Sequence, residues 1–241
     1  MRIVLLGPPG TGKGSLALLC KTHLGPSHLS TGEIFRQEIA RRSSLGRRVA
    51  RYVASGRLVP DTLVVEVMAS RLAPQVLSKG FVLDGFPRTA GQAAGLDRAL
   101  ARLQHPLDGA VYLDSPRGVL VRRLTGRRVC AKCGANYHIR TMRPKQPNRC
   151  DRCDGPLITR KDDEPRTIRK RLEIDHRAAK PLLDYYRRRG FLYRVDGAGH
   201  IETVFRRAIK LFQKQGWLTT NDRAQDQKRT RTHAGRGSGR R

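Results

Sequence analysis

The chain has 241 residues, enough to bury one complete core and to carry one or two smaller insertions. Its 49 Lys and Arg against 20 Asp and Glu give a formal net charge of +29, which suits polyphosphate ligands and also predicts salt-sensitive attraction to nucleic acid. No apolar run is long enough to span a membrane and the chain starts on a strand pattern, so we expect a cytoplasmic protein without a signal peptide or membrane contact.

A glycine-rich segment follows the first predicted strand. The apolar residues Ile3–Leu6 predict that strand, residues 7–15 (GPPGTGKGS) form the segment, and a helix is predicted over Lys13–Leu24. Glycines lack the Cβ atoms that would stop backbone N–H groups from turning around an anion, and the helix N-terminus adds partial positive charge. Lys13 can reach the outer phosphates of a nucleoside triphosphate, and Ser15 offers a hydroxyl near its metal. The segment predicts a phosphate-binding loop, with a turn that binds no ligand as the alternative.

The next predicted elements are short. A second strand is predicted over Ser27–Ser30, and Thr31 is expected to cap the helix that follows. Helices are predicted over residues 34–42, 45–54 and 62–72. Residues 30–59 would then form a small helical insert between the second strand and the rest of the core.

A polar string ends the third predicted strand. Phe81–Asp84 predicts a buried strand, and residues 84–89 read DGFPRT. The carboxyl end of a parallel strand is where open α/β sheets bind ligands, so Asp84 and Arg88 are candidate site residues. A purely structural ion pair between Arg88 and Asp84 or Asp97 is the alternative.

The second half of the chain predicts two more strands and a disordered end. Strands are predicted over residues 110–114 and 191–197, and helices end near residues 124, 189 and 217, the last with an apolar stripe typical of core packing. Aliphatic and aromatic residues are absent after Leu218, and residues 218–241 predict a disordered basic tail. Its Arg-Gly ending favours either weak non-specific nucleic-acid contact or a solubilising role.

Four of the five cysteines form two Cys-x2-Cys pairs separated by sixteen residues. They are Cys130, Cys133, Cys150 and Cys153. This spacing predicts two knuckles around one tetrahedral ion, and four thiolates favour Zn²⁺. Because four protein ligands leave no open position, we expect a structural site that stabilises a small β-rich flap. Unligated thiols and disulfides are the alternatives; His138 is a competing ligand, and Cys20 is expected to be a buried apolar side chain.

Several strings, in order along the chain, resemble motifs of the adenylate kinases. They are GPPGTGKGS, STGEIFR at 30–36, DGFPRT, GRRV at 126–129, TRKDD at 159–163 and IRKRL at 168–172. The chain departs from the strict GxxxxGK[ST] pattern because Gly14 follows Lys13, a form typical of nucleoside monophosphate kinases, and Leu16 stands where the family usually has glutamine. The resemblance covers residues 1 to about 217.

The resemblance implies an α/β fold, with a five-stranded parallel P-loop sheet flanked by helices. It implies a core of residues 1–29, 60–125 and 164–217, a helical insert of residues 30–59 that binds the nucleoside monophosphate, and a small β-rich zinc-binding lid of residues 126–163. The implied reaction is reversible transfer of the terminal phosphate of ATP to AMP, giving two ADP, with Mg²⁺ bound to ATP. A monomer is implied as well.

The resemblance also implies site residues. At ATP it places Gly10, Thr11, Gly12, Lys13, Gly14, Ser15, Arg123, Arg127, Asn136, Tyr137 and Gly199. At AMP it places Thr31, Arg36, Arg57, Leu58, Val59, Gly85, Phe86, Pro87, Arg88, Gln92, Arg160 and Arg171. As catalytic residues it implies Lys13, Asp84, Arg88, Arg127, Arg160 and Arg171, and it implies Asp162 and Asp163 as hinge and arginine-orienting carboxylates. No general base is expected, because the attacking phosphate oxygen is already anionic.

Two rival functions stay open at this point. The nearer one is a kinase for UMP, CMP or GMP, which Thr31, Gln92 and the long lid disfavour by resemblance. The other is a zinc-ribbon RNA-binding protein on a kinase fold, which the charge favours, since residues 122–161 hold twelve Lys or Arg against two Asp.

Overall fold

A five-stranded parallel sheet forms the centre of the computed structural model, which describes residues 1–218. The strands are β1 (Arg2–Leu6), β2 (Ser27–Ser30), β3 (Phe81–Asp84), β4 (Gly109–Asp114), β5 (Arg127–Cys130), β6 (Asn136–His138), β7 (Leu157–Ile158) and β8 (Leu192–Asp196). The parallel sheet has the order β2-β3-β1-β4-β8, and the antiparallel β6-β5-β7 sheet is separate. The predicted α/β fold with five parallel strands is confirmed; residues 219–241, most of the predicted tail, lie outside the described residues.

Nine helices are present within residues 1–218. They are α1 (Lys13–Leu24), α2 (Thr31–Ala40), α3 (Ser44–Ser55), α4 (Asp61–Arg71), α5 (Pro74–Lys79), α6 (Ala90–Arg102), α7 (Arg117–Thr125), α8 (Pro165–Arg188) and α9 (Ile201–Lys214), with a 3₁₀ turn at Lys161–Asp163. None of these helices is both long and apolar enough to cross a membrane.

Strand β1 is buried on both faces because helices cover the sheet on each side. Val4 belongs to the apolar cluster on one face, which also contains Met68 of α4 and Leu96 of α6. Leu5 points to the opposite face and packs with the α1 and α9 residues of the second cluster. Leu5 also lies opposite Asp84 in the sheet register, so the loop after β1 and the end of β3 meet at one edge.

The helix predictions differ from the structure at the start of α2 and at its cap, and two helices were not predicted. Helix α2 begins at Thr31 and not at Ile34, because the Ser30 hydroxyl accepts the Glu33 N–H (3.4 Å) as its cap. The expected cap, Thr31, does not cap this helix, because its hydroxyl donates to the carbonyl of Gly85. Helices α5 and α6 were not predicted; in α6, Gly91 and Gly95 weaken the helical pattern.

The chain end of the described region differs from the prediction as well. Helix α9 ends at Lys214 and not near Trp217, because Gly216 adopts a left-handed φ of 70° and turns Trp217 back onto the ring of Tyr193. Leu218, predicted as the first tail residue, is only 6% exposed and belongs to the core cluster beside α9.

Candidate active site

The segment after β1 curls around the N-terminus of α1. Gly7 has a φ of 130°, and a Cβ there would collide with the carbonyl oxygen of Leu113, so the sharp turn requires glycine. Lys13 folds over the loop and donates from Nζ to the carbonyls of Gly7 (2.5 Å) and Pro8 (2.9 Å). Burial lowers the pKa of Lys13 to about 8, although Asp84 opposes this shift. A phosphate bound beside this ammonium would stabilise its charged form.

Asp84 lies at the end of β3, beside this loop. The contact is close: a Cβ on Gly14 would lie 3.1 Å from Asp84 Oδ2. Burial alone would raise the pKa of Asp84, but His28, Lys13 and Arg88 hold it below its usual value. His28 Nε2 is 3.9 Å from Asp84 Oδ2. Sequence reasoning missed His28, which gave no signal beyond its place on β2.

Three residues predicted to bind AMP meet at one carbonyl. Thr31 Oγ1 and Arg88 Nε both donate to the carbonyl of Gly85, each at 2.9 Å. Gly85 has a φ of 78°, and a Cβ there would lie 2.9 Å from Thr31 Oγ1. The structural alternative for Arg88, an ion pair with Asp84 or Asp97, does not occur among residues 1–218, so its guanidinium remains available to an anion.

Gln92 is held by a carboxylate that sequence reasoning missed. Its amide nitrogen donates to Asp61 Oδ1 (2.9 Å), and its amide oxygen accepts the Arg88 N–H (2.8 Å). Asp61 also accepts from the hydroxyl of Thr89 (2.6 Å), which caps α6. Gln92 is only 2% exposed. Asp61 thus orients the amide and joins α4 to the loop that carries Arg88.

Two arginines from different elements share one buried carboxylate. Asp163, whose side chain is fully buried, accepts from Nε and Nη2 of Arg127 (2.7 and 2.5 Å) and from Nη1 of Arg171 (3.1 Å). Arg171 also pairs with Asp162 at 2.9 Å. The bidentate contact fixes the guanidinium plane of Arg127, whereas Arg171 contacts both carboxylates through Nη1 alone. Both aspartates therefore contact arginines, as expected of arginine-orienting carboxylates.

Arg160 lies in the same cluster with part of its guanidinium unused. Its Nη2 donates to Asn136 Oδ1 (3.1 Å), but its buried Nε has no hydrogen-bond partner in the part of the chain described. Burial, and then the neighbouring guanidinium groups of Arg36 and Arg127, lower the pKa of Arg160 to about 9. A buried, unsatisfied donor among like charges indicates a site for an anion.

Arg123 connects the loop to the far edge of the sheet. Its Nη1 donates to the carbonyls of Thr11 (3.3 Å) and Gly197 (3.0 Å), and its Nη2 donates to that of Gly199 (2.8 Å). Three residues predicted at ATP, Arg123, Thr11 and Gly199, are therefore in contact. Tyr137, also predicted there, points its side chain into the lid.

The remaining predicted residues lie around this cluster. Phe86 and Val59 are buried and belong to the same apolar core cluster. Arg57 is exposed and Leu58 is half-buried in the loop that follows α3. Pro87 and Lys13 line a common cavity with Arg88.

The site as a whole gathers six cations from separate elements, Lys13, Arg36, Arg88, Arg127, Arg160 and Arg171. Three carboxylates, Asp84, Asp162 and Asp163, are interspersed with them. Like charges at this density repel unless anions lie between them. The arrangement suits two phosphorylated ligands that approach one another.

The four knuckle cysteines converge in the lid. Their sulfur atoms all lie within 4.8 Å of one another, with Cys130 and Cys153 at 3.4 Å and Cys133 and Cys150 at 3.5 Å. This geometry and donor set fit a tetrahedral zinc ion. His138 is not a competing ligand: its Nε2 lies 3.2 Å from the carbonyl of Arg122, and its Nδ1 accepts N–H groups from residues 140 and 141.

A parallel sheet whose central strand leads into a glycine loop, with arginines contributed by α2, β5, α8 and the segments before α6 and α8, defines a P-loop kinase for nucleotides. A family model described as adenylate kinase matches residues 5–191. The adenylate kinase of Moorella thermoacetica is 45% identical over 204 residues, which cover 85% of this chain and 94% of that protein. Those of Clostridium botulinum strain Hall and Clostridium tetani are 44% and 43% identical over 205 residues, covering 85% of this chain and 95% of each relative. The chain belongs to the adenylate kinase family and is a nucleoside monophosphate kinase.

Proposed function

We propose that the chain transfers the terminal phosphate of ATP to AMP, reversibly, by holding both nucleotides in line within the six-cation cluster. The observation that carries the proposal is a continuous cluster of cations: Arg88 and Arg171 lie near Lys13, and Arg127 connects Arg171 to Arg36 and Arg160. Family membership supports the same reaction.

On the ATP side, the loop amides of residues 10–15 and the Lys13 ammonium bind the outer phosphates. Arg123 stacks on the adenine, and its bonds to the carbonyls of Thr11 and Gly199 hold the guanidinium in place. Asn136 and the backbone of Tyr137 contribute from the lid.

On the AMP side, Arg88 and Arg36 bind the phosphate as charged forks. The carbonyl of Gly85 fixes the Arg88 Nε and the Thr31 hydroxyl at one point, so a single backbone atom aligns phosphate and nucleoside recognition. Gln92 reads the adenine edge, and residues 57–59 with Phe86 and Pro87 line the base pocket.

During transfer, Arg127, Arg160 and Arg171 bracket the migrating phosphoryl group. The AMP phosphate oxygen needs no general base, because it is already anionic at neutral pH. Positioning and charge stabilisation therefore supply the rate, and loss of one well-placed cation should cost about 3 kcal/mol, or roughly a hundredfold. Asp163 contributes by holding Arg127 and Arg171 at one shared carboxylate.

Two metals are part of the proposal. Mg²⁺ enters with ATP and neutralises charge on its phosphates; Ser15 and Asp84 are the residues that would hold it and its water shell. Zn²⁺ would be held by the four knuckle cysteines and would supply folding free energy to the lid, with no part in the chemistry.

We propose that the lid, residues 126–163, and the insert, residues 30–59, close over the core residues 1–29, 60–125 and 164–217 before transfer. Closure excludes water, which would otherwise accept the phosphate. Lid residue Gly134 already lies against Glu33 of the insert: a Cβ there would be 3.5 Å from Glu33 Oε1. The monomeric state, the cytoplasmic location and nucleic-acid contact through the tail stay predictions.

The test is ADP formation from MgATP plus AMP, UMP, CMP or GMP, run on intact and tail-deleted protein together with zinc analysis. Activity with AMP far above the other acceptors is expected. If UMP, CMP or GMP is phosphorylated faster than AMP, that nucleotide and not AMP is the acceptor substrate. Folded, zinc-loaded protein that forms no ADP with any acceptor, and binds RNA tightly at physiological salt, would overturn the proposal.

A further inference from the structure

The small core of the lid contains a tyrosine whose hydroxyl faces the cysteine cluster. Tyr137 lies on β6, is 7% exposed, and packs with Cys130, Cys150 and Leu157. Its hydroxyl oxygen is 3.4 Å from Cys150 Sγ and 2.7 Å from the backbone nitrogen of Asp151. A phenylalanine would fill the same space, so what the tyrosine adds is the pair of polar contacts made by its hydroxyl.

The direction of the hydroxyl proton follows from these two contacts. The Asp151 N–H can only donate, so the tyrosine oxygen accepts there and its own proton points to the other neighbour. That neighbour is Cys150 Sγ. The sulfur therefore receives an O–H donor in addition to the N–H of Arg152 (3.4 Å).

We propose that Tyr137 is a positioning residue that donates a hydrogen bond to the metal-bound thiolate of Cys150 and so strengthens the hold of the knuckles on their metal. The inference rests on the zinc site proposed above and not on the transfer reaction. Four thiolates around a divalent cation carry a formal charge of −2, which donors to sulfur disperse. Within residues 1–218, the other donors to these sulfurs are backbone N–H groups or thiols.

Tyr137 also links the knuckles to the reacting end of the lid. On either side of it in β6, Asn136 accepts from Arg160 (3.1 Å) and His138 contacts the carbonyl of Arg122 at the end of α7 (3.2 Å). Because side chains alternate along a strand, Tyr137 faces the cysteine cluster, whereas Asn136 faces Arg160 and His138 faces the end of α7. Because Asn136 and Tyr137 are adjacent on β6, the hydrogen bond from Tyr137 to Cys150 also restricts the motion of the strand to which Arg160 is bonded.

The test compares Tyr137→Phe with a matched control, Tyr193→Phe, whose ring packs on Trp217 of the core. Full-length, zinc-loaded proteins are mixed with excess chromophoric chelator, and zinc release is timed. Release at least about ten times faster in Tyr137→Phe, with no change in the control, is expected. Equal release rates in Tyr137→Phe and wild type overturn the inference.

A second measurement separates the hydrogen bond from packing. With Co²⁺ in place of zinc, the thiolate-to-metal charge-transfer band of Tyr137→Phe should move to lower energy, because a sulfur without its O–H donor gives up electrons more readily. Faster release with an unmoved band would mean that the ring only packs, and would overturn the inference. A wild-type chain that binds no zinc would overturn the zinc assignment itself, while ADP formation reports separately on the transfer reaction.

Discussion

Lys13 and Arg127 are both cations of the site, yet the molecule holds them by different means. Lys13 begins α1, directly after the loop that follows β1, and the apolar side chains of β1 are almost fully buried in a sheet of five strands. Arg127 lies in a lid with a cluster of only four buried residues, and depends on Asp163 and on the cysteine knuckles. A large apolar core positions the first cation, whereas charge pairing, together with the zinc site that we propose, positions the second.

Lys13→Met tests most directly the cation that the apolar core positions. We expect ADP formation to fall by roughly a hundredfold or more, since the variant loses about 3 kcal/mol of charge stabilisation. Zinc content and melting temperature should hardly change, because the lid is untouched. The control is Lys21→Met, an exposed position on the same helix. Equal turnover in the two variants would contradict a phosphate-binding role for Lys13.

Asp163→Asn tests most directly the charge pairing that positions Arg127. Removal of this charge leaves Arg127 and Arg171 without their shared partner, so turnover should fall about tenfold and stability by a few kcal/mol. Asp154→Asn is the control, because Asp154 forms an exposed ion pair with Arg149 in the same lid. If Asp163→Asn and Asp154→Asn have the same melting temperature and the same turnover, the buried carboxylate does not position the arginines.

Removal of the metal should separate the two halves directly. Hydrogen exchange on chelator-stripped protein is expected to accelerate in β5 and β6 while the amides of β1 and β3 stay protected, because zinc supplies folding free energy to the lid alone. ADP formation should drop several-fold as Arg127 and Arg160 lose order. Exchange that accelerates equally in β1 would show that the lid and the core unfold as one unit.

A smaller effect is expected from pH. Because burial lowers the pKa of Lys13 to about 8, the free enzyme loses this proton above that pH, while bound phosphate raises the pKa again. ATP binding should therefore take up protons and weaken as pH rises from 8 towards 10. Calorimetry in two buffers of different ionisation enthalpy measures the uptake. Equal uptake in Lys13→Met would assign it to another group, such as Arg160.

The smallest effect should come from deletion of residues 219–241, which removes seven Lys or Arg. We expect kcat and KM for both nucleotides to stay within about twofold, since every candidate site residue lies in residues 1–218. Binding of single-stranded RNA should weaken, with a shallower dependence on salt. A large loss of turnover on deletion would mean that the tail takes part in the reaction.

Local patterns in the chain were enough to predict the glycine-rich loop, the ends of α1, the five strands of the central sheet and the two cysteine pairs, whereas the parallel order of the strands came from the family resemblance. In each case the signal is short-range: a strand followed by glycines and Lys13, or cysteines spaced two residues apart. Contacts between distant segments were beyond such patterns. Asp61 holds Gln92 across 31 positions and His28 faces Asp84 from a neighbouring strand, and neither residue has a motif of its own.

The amino-acid sequence therefore determined which chemistry the chain carries, because glycine, lysine, arginine and cysteine act through properties of single residues and short spacings. The folded arrangement determined which groups share a partner: Asp163 with both Arg127 and Arg171, Gly85 with both Thr31 and Arg88. Shared partners depend on packing between elements far apart in the chain, and burial, which also depends on that packing, lowers the pKa of Lys13.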